Sequence, residues 1–175
     1  GYTQIEVQGA TGYTDTNYAA KGAAAVAALD KHDLVVVHVE APDEASHNAD
    51  FDAKVRAIEA IDHHVVHPLL ERLQKEGEGN WRIMVCPDHV SACALRTHTA
   101  EPVPFAAAGA RLESVVGATF DEVAAAASDL HIQRGADLMG SVAAAGESAR
   151  YASTIVVDCA PPEPLHRSME KLKNH

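Results

Sequence analysis

Two short, β-branched apolar runs, Leu34 to Val39 and Ile83 to Cys86, constrain this chain more than any other feature, because a long helical pattern separates them. Runs of this length bounded by turn residues read as buried strands, and Val103 to Ala107 is a weaker third. An alanine-rich helix is expected over Thr16 to Leu29, capped by Asp15 or Thr16 and closed by the polar turn Asp30-Lys31-His32. Phe51 to Leu73 is the clearest helix. There Phe51, Val55, Ile58, Val65, Leu69 and Leu73 keep a helical period, opposite Asp52, Arg56, Glu59 and His63, and Pro68 is expected to kink it. Strands alternating with helices imply βαβ crossovers, hence an α/β fold whose mostly parallel sheet carries helices on both faces.

The chain of 175 residues, 47% apolar, has the size and composition of one ordinary domain. Its formal net charge of -11 makes nucleic acid and anionic membranes poor partners, since both need a basic face to displace counterions. No stretch approaches the roughly 20 apolar residues of a membrane span. Cys86, Cys93 and Cys159 are odd in number and lack CxxC spacing, which argues against a disulfide framework and a zinc knuckle and fits a reducing cytoplasm. The chain opens at Gly1 on a strand-like run, Tyr2 to Val7, as expected for a piece of something longer. Residues 1–146 read as one unit, closing with a helix at Phe120 to Ala127 and a turn around Ala136 to Ala145. Residues 147–175, with Pro161, Pro162 and Pro164, read as a tail in which the apolar run Ser153 to Val157 has no evident place.

In parallel sheets ligands bind beyond the carboxyl ends of the strands, so the residues after Val39 and Cys86 are where chemistry belongs. The first strand is followed by Glu40-Ala41-Pro42-Asp43-Glu44-Ala45-Ser46-His47, where Asp43 and His47 are one helical turn apart and can reach one cation. The second is followed by Pro87-Asp88-His89 and then Arg96-Thr97-His98-Thr99. A DxxxH or DH alone is common; both after successive strands, with His98 beyond, is specific. Mixed carboxylate and imidazole suit manganese, zinc, cobalt or iron better than calcium. Two such ions clamp a phosphoryl group and supply the positive charge that an acidic chain lacks.

Other candidates carry less. His63 and His67 are spaced to hold an adventitious zinc but belong to a solvated face, and His38 reads as a hydrogen-bonded neighbour of the site. The loop Gly9 to Tyr18, with Thr11 in it, either presents amides to a phosphate or is a capped connection, and Lys21 one turn later is either a phosphate contact or a solvated lysine. Cys86 and Cys93 lack a base and read as small apolar residues.

The blocks Gly-Ala-Thr-Gly-Tyr-Thr-Asp-Thr-Asn-Tyr (9–18), His-Val-Glu-Ala-Pro-Asp-Glu-Ala-Ser-His (38–47), Pro-Asp-His (87–89) and Arg-Thr-His-Thr-Ala-Glu-Pro-Val-Pro-Phe (96–105) occur in that order. In these the chain resembles, over about its first 145 residues, the archaeal-type 2,3-bisphosphoglycerate-independent phosphoglycerate mutases of the alkaline phosphatase superfamily. The resemblance implies an incomplete alkaline-phosphatase-like core holding two divalent ions, manganese, zinc, cobalt or magnesium. It implies that Asp43, His47 and His98 hold one ion while Asp88 and His89 help hold the other. It further implies an isomerase of glycolysis and gluconeogenesis that interconverts 3-phosphoglycerate and 2-phosphoglycerate, small phosphate esters, through a phosphoserine. The family's nucleophilic serine, its early metal-binding aspartate and its substrate-gripping cap have no counterpart motif here, so no catalytic nucleophile and little turnover are expected of this chain alone. Ser46 stands where the family usually has glycine, and Val90 and Ser91 alter the loop after Asp88-His89. Rival readings are a homoserine-kinase-like enzyme, phosphopentomutase or phosphatase of the same superfamily, and a non-catalytic metal-binding domain.

Overall fold

The structure, a computed structural model, describes residues 3–77, 79–112, 119–143 and 153–158. Of the tail expected at 147–175, Cys159 and the three prolines lie outside the described residues, as do the last two residues of the turn expected at 136–145. Residues 3–7, read from sequence as a strand, run without regular structure. The first helix, α1 (Tyr18–Ala28), is capped by Asn17, whose side chain accepts from the Ala20 N–H, and not by Asp15 or Thr16. Both of those are committed to the preceding loop: Asp15 accepts from the Thr11 hydroxyl at 2.7 Å and Thr16 Oγ1 from the Thr11 N–H at 3.0 Å.

The strand β1 (Leu34–His38) leads into α2 (Ala41–His47) and then α3 (Phe51–Ile61), a π-turn (Asp62–Val66) and α4 (His67–Gln74). The break expected at Pro68 takes the form of this π-turn, in which the His67 N–H donates five residues back to Asp62. Pro68 itself has no N–H to offer the carbonyl of His64, four residues earlier. That carbonyl faces α1 at Gly22, where a Cβ would stand 1.9 Å from it. Glycine is therefore required at this crossing.

The π-turn also decides which face of the long helix is buried. Residues four apart drift about 40° around an unbroken α-helix. An extra residue in one turn offsets that drift, and Ala57, Ile61, Val65, Leu69 and Leu73 form one buried line. Val65, Leu69 and Leu73 were expected there. Phe51, Val55 and Ile58 were expected there too but are exposed, Phe51 by 66%, because they lie on the other phase of the helix ahead of the π-turn.

After α4 come β2 (Trp81–Val85), the hairpin strands β3 (Val90–Ala92) and β4 (Thr97–Thr99), and β5 (Ala106–Gly109). The helices α5 (Glu122–Ala127) and α6 (Gly135–Ala143) follow, and then β6 (Ser153–Asp158). The main sheet has the order β1-β6-β2-β5, with β6 parallel to both neighbours and β5 antiparallel to β2. The run at 153–157 that sequence left unplaced is thus an interior strand. Ala25 and Ala28 of α1 with the buried line of the long helix pack on Val35, Val37 and Ile83. Alternation sends Arg82 and Met84 to the opposite face, where both are buried, whereas Val36 is 43% exposed. That second face is covered only in part by the described residues. No helix among them is long and apolar enough to cross a membrane.

Candidate metal centre

The site forms where β1 and β2 end. Pro42, fixed in φ and lacking an N–H that the first helical turn would leave unused, starts α2 directly after β1. One turn then separates Asp43, buried, from His47. From β2 the chain passes through Asp88 and His89 into the β3–β4 hairpin, whose register sets Ser91 opposite His98. The hairpin turn holds Arg96 at φ 54°, a left-handed conformation, and so folds His98 back over α2.

Ligand atoms of Asp43, His47 and His98 all lie within 4.8 Å of one another. His47 Nε2 is 3.1 Å from His98 Nε2 and 3.2 Å from Asp43 Oδ2, and His98 Nε2 is 3.2 Å from Asp43 Oδ1. His47 Nδ1 lies 2.9 Å from the Arg96 carbonyl, which can only accept, so Nδ1 carries the proton. In neutral His47 the Nε2 lone pair then faces a carboxylate and a second imidazole. With His98 in the same tautomer, three electron-rich atoms converge on one point, an arrangement that a shared positive charge stabilises. One carboxylate with two imidazoles, one of them oriented by a backbone carbonyl, is a donor set that fits a divalent transition ion.

Asp88 and His89 adjoin this triad. His89 Nε2 is 3.1 Å from Asp88 Oδ2, and the His89 and His98 rings stack with centroids 3.8 Å apart. Ser91 joins the two sets: its hydroxyl donates a short hydrogen bond to Asp43 Oδ1 and stands 3.2 Å from His89 Nδ1. Ser91 is buried, and its carbonyl accepts from Lys54 Nζ at 2.7 Å. Glu40 is held above the ordinary carboxylate value, first by burial and then by the carboxylates of Asp43, Glu44 and Asp88, while His38, 3.1 Å away, opposes the shift. Glu40, Asp43 and Glu44 form a second group of closely spaced ligand atoms. Negative charge is concentrated here in a way that a cation would relieve.

The other residues singled out from sequence take lesser places. Thr11 spends its N–H and hydroxyl inside its own loop. Lys21 reaches the end of β1, donating to the His38 carbonyl at 2.9 Å. His67 faces Glu71 at 3.6 Å in solvent and His63 meets His64 edge to face, and neither belongs to the three-ligand groups among the described residues. Ser46 is fully buried and its hydroxyl donates to the Pro42 carbonyl at 2.8 Å, so α2 absorbs a side chain at that position. Sequence reasoning missed Ser91, Glu40 and the Arg96 carbonyl as parts of the site. Only Glu40 carried a signal, its place directly after a strand.

An α/β sheet that gathers acid and imidazole side chains beyond the carboxyl ends of its strands is the architecture of a metal-dependent enzyme. The chain belongs to the Metalloenzyme superfamily, whose family profile matches residues 1–139. Among its relatives is the 2,3-bisphosphoglycerate-independent phosphoglycerate mutase of Methanothrix thermoacetophila, 45% identical over 139 residues, which cover 79% of this chain and 35% of that protein. Phosphoglycerate mutase 2 of the same type from Methanothermobacter thermautotrophicus is 46% identical over 122 residues, covering 70% of this chain and 30% of the relative. A protein of Geobacter sulfurreducens named as a probable mutase of this type is 44% identical over 140 residues, covering 79% and 35%. The solved structure of the PH0037 protein from Pyrococcus horikoshii superposes with a TM-score of 0.69 at 28% identity, over 79% of this chain and 41% of that one. The chain thus spans about a third of the length of the curated relatives it matches.

Proposed function

We propose that this chain is the metal-binding portion of a 2,3-bisphosphoglycerate-independent phosphoglycerate mutase, and that the whole protein interconverts 3-phosphoglycerate and 2-phosphoglycerate in the cytoplasm. The observation that carries the proposal is the convergence of Asp43, His47 and His98, with His89 packed on His98 and Asp88 beside His89, in a chain whose relatives bear that name. On this reading Asp43, His47 and His98 hold one divalent ion, and Asp88 and His89 contribute to a second, of manganese, zinc, cobalt or magnesium. When bound, such ions act as Lewis acids that neutralise a phosphoryl group's charge and lower the pKa of a coordinated hydroxyl. The chain's own residues have defined tasks. Asp43 supplies the charge, Ser91 fixes its orientation, and the Arg96 carbonyl sets the His47 tautomer. The nucleophilic serine and the groups that grip a small phosphate ester would come from the rest of the parent protein, with no role for nucleic acid or membrane.

Titration of the chain with manganese and zinc, beside His47→Ala and His98→Ala, tests the site. Binding that both substitutions abolish is expected; binding indifferent to either would sink the assignment. Turnover of 3-phosphoglycerate by the parent protein, followed by a coupled assay, tests the reaction. Activity toward homoserine with ATP or a pentose phosphate instead would move the protein to another branch of the superfamily.

A further inference from the structure

Lys54 is the fourth residue of α3, in an opening turn whose dipole favours an acid such as Asp52 and disfavours a cation. The residue is half-buried, and its Nζ donates to the carbonyl of Ser91, 37 residues further along the chain, at 2.7 Å. A charge-assisted bond of this length is one of the stronger kinds. What it holds is the hairpin. Ser91 lies in β3 opposite His98 and is buried, with its hydroxyl on Asp43 Oδ1. The helix that carries Lys54 is itself fixed to α2: Asp50, whose side chain caps α3, donates its N–H to the Ala45 carbonyl at 2.9 Å. Asp43 on α2, Lys54 on α3 and Ser91 on β3 thus close a ring around the triad, two of whose members come from α2 and the third from the hairpin.

A lysine ammonium near a cation site repels the ion, so neutralising a bystander lysine tightens metal binding. A lysine that keeps a ligand aimed has the opposite effect, because its loss frees the ligand to turn away. We propose that Lys54 is a positioning residue of the metal centre: by holding the Ser91 carbonyl it fixes Ser91 where its hydroxyl keeps Asp43 turned toward His47 and His98. Lys54 touches neither ion nor substrate on this account and acts through Ser91. This rests on the metal-centre reading above.

Manganese and zinc titrations of the full 175-residue chain are the test. Losing an outer partner of a metal ligand weakens affinity by about 10–100-fold, and Lys54→Met, which keeps the stem without the donor, is expected to weaken it by about 10-fold. Lys54→Gln, shorter and neutral, is expected to do the same. Lys54→Arg restores a charged donor and is expected to recover most of the loss. In a Ser91→Ala background the carbonyl remains but the hydroxyl is gone, so Lys54→Met is expected to change affinity there by less than about twofold. Urea midpoints in chelator, read for each variant, tell a loss of fold from a loss of aim. Affinity in Lys54→Met or Lys54→Gln equal to the wild type's, or tighter, overturns the proposal, whatever happens to the urea midpoint. Equal weakening with and without the Ser91 hydroxyl also overturns it, since Lys54 would then act by another route. A wild type that binds neither ion overturns the metal-centre reading itself, and the proposal with it.

Discussion

His47 shows how much a single backbone group decides. Because the Arg96 carbonyl takes the Nδ1 proton, Nε2 is left to face Asp43 and His98, and the left-handed turn at Arg96 is what aims that carbonyl. Ser91 does the equivalent for Asp43. Removing an outer partner of a metal ligand weakens affinity by about 10–100-fold, and that is the loss expected for Ser91→Ala in a zinc or manganese titration. Unchanged affinity would mean that Asp43 orients itself without help. Glu40 provides a test by pH. Burial, then the neighbouring carboxylates, raise its pKa, so the folded protein holds that proton more tightly than the unfolded chain does. Its contribution to stability is present below the unfolded carboxylate value and is lost as pH rises through the folded one. In chelator, the urea midpoint of the wild type should therefore fall relative to that of Glu40→Gln as pH rises from the ordinary carboxylate value. A difference between the two that stays flat over that range would show that burial costs Glu40 nothing.

At the scale of elements, the crossing of α1 over the π-turn leaves no room for a Cβ at Gly22. Gly22→Ala would drive a methyl into the His64 carbonyl, and overpacking of this kind costs about 1–3 kcal/mol. Urea unfolding is the measurement, and a loss near zero would show that the two helices separate at little cost. Much of this level was legible in the sequence. The apolar runs at 34–39 and 83–86 became β1 and β2, and beyond their ends Asp43, His47 and His98 come within reach of one another, with His89 against His98 and Asp88 against His89. What was not legible depended on events outside the local pattern. Phe51, Val55 and Ile58 keep a helical period, but the period says nothing of the extra residue at the π-turn that sets which phase is buried. The run at 153–157 is too short to announce its neighbours, because the pairing of a parallel strand is specified by partners far away in sequence. Asn17 took the cap from Asp15 and Thr16 because those two side chains were more strongly engaged by Thr11.

For the whole molecule, the site joins segments far apart in sequence. Asp43 and His47 belong to α2 after β1, while His89, Ser91 and His98 belong to the β2 side and its hairpin. An ion bound between them is linked to global stability. Free metal at a hundredfold excess over its Kd is expected to add about 2.7 kcal/mol if it binds only the folded state. Thermal unfolding with manganese and then with chelator measures this, and equal midpoints would mean that the folded protein binds manganese no better than the unfolded chain does.

The interior place of β6 also bears on the order in which the molecule assembles. Leu34 is paired with Thr154 and Trp81 with Ser153, so β1 and β2 have no direct bond to each other and must wait for a segment made much later. Pairings this distant in sequence close slowly, because loop entropy is lost before any ladder bond is gained. Until residue 153 is made, this stretch of chain offers β1 and β2 no shared partner of its own, and their edges stay open to other pairings for that interval.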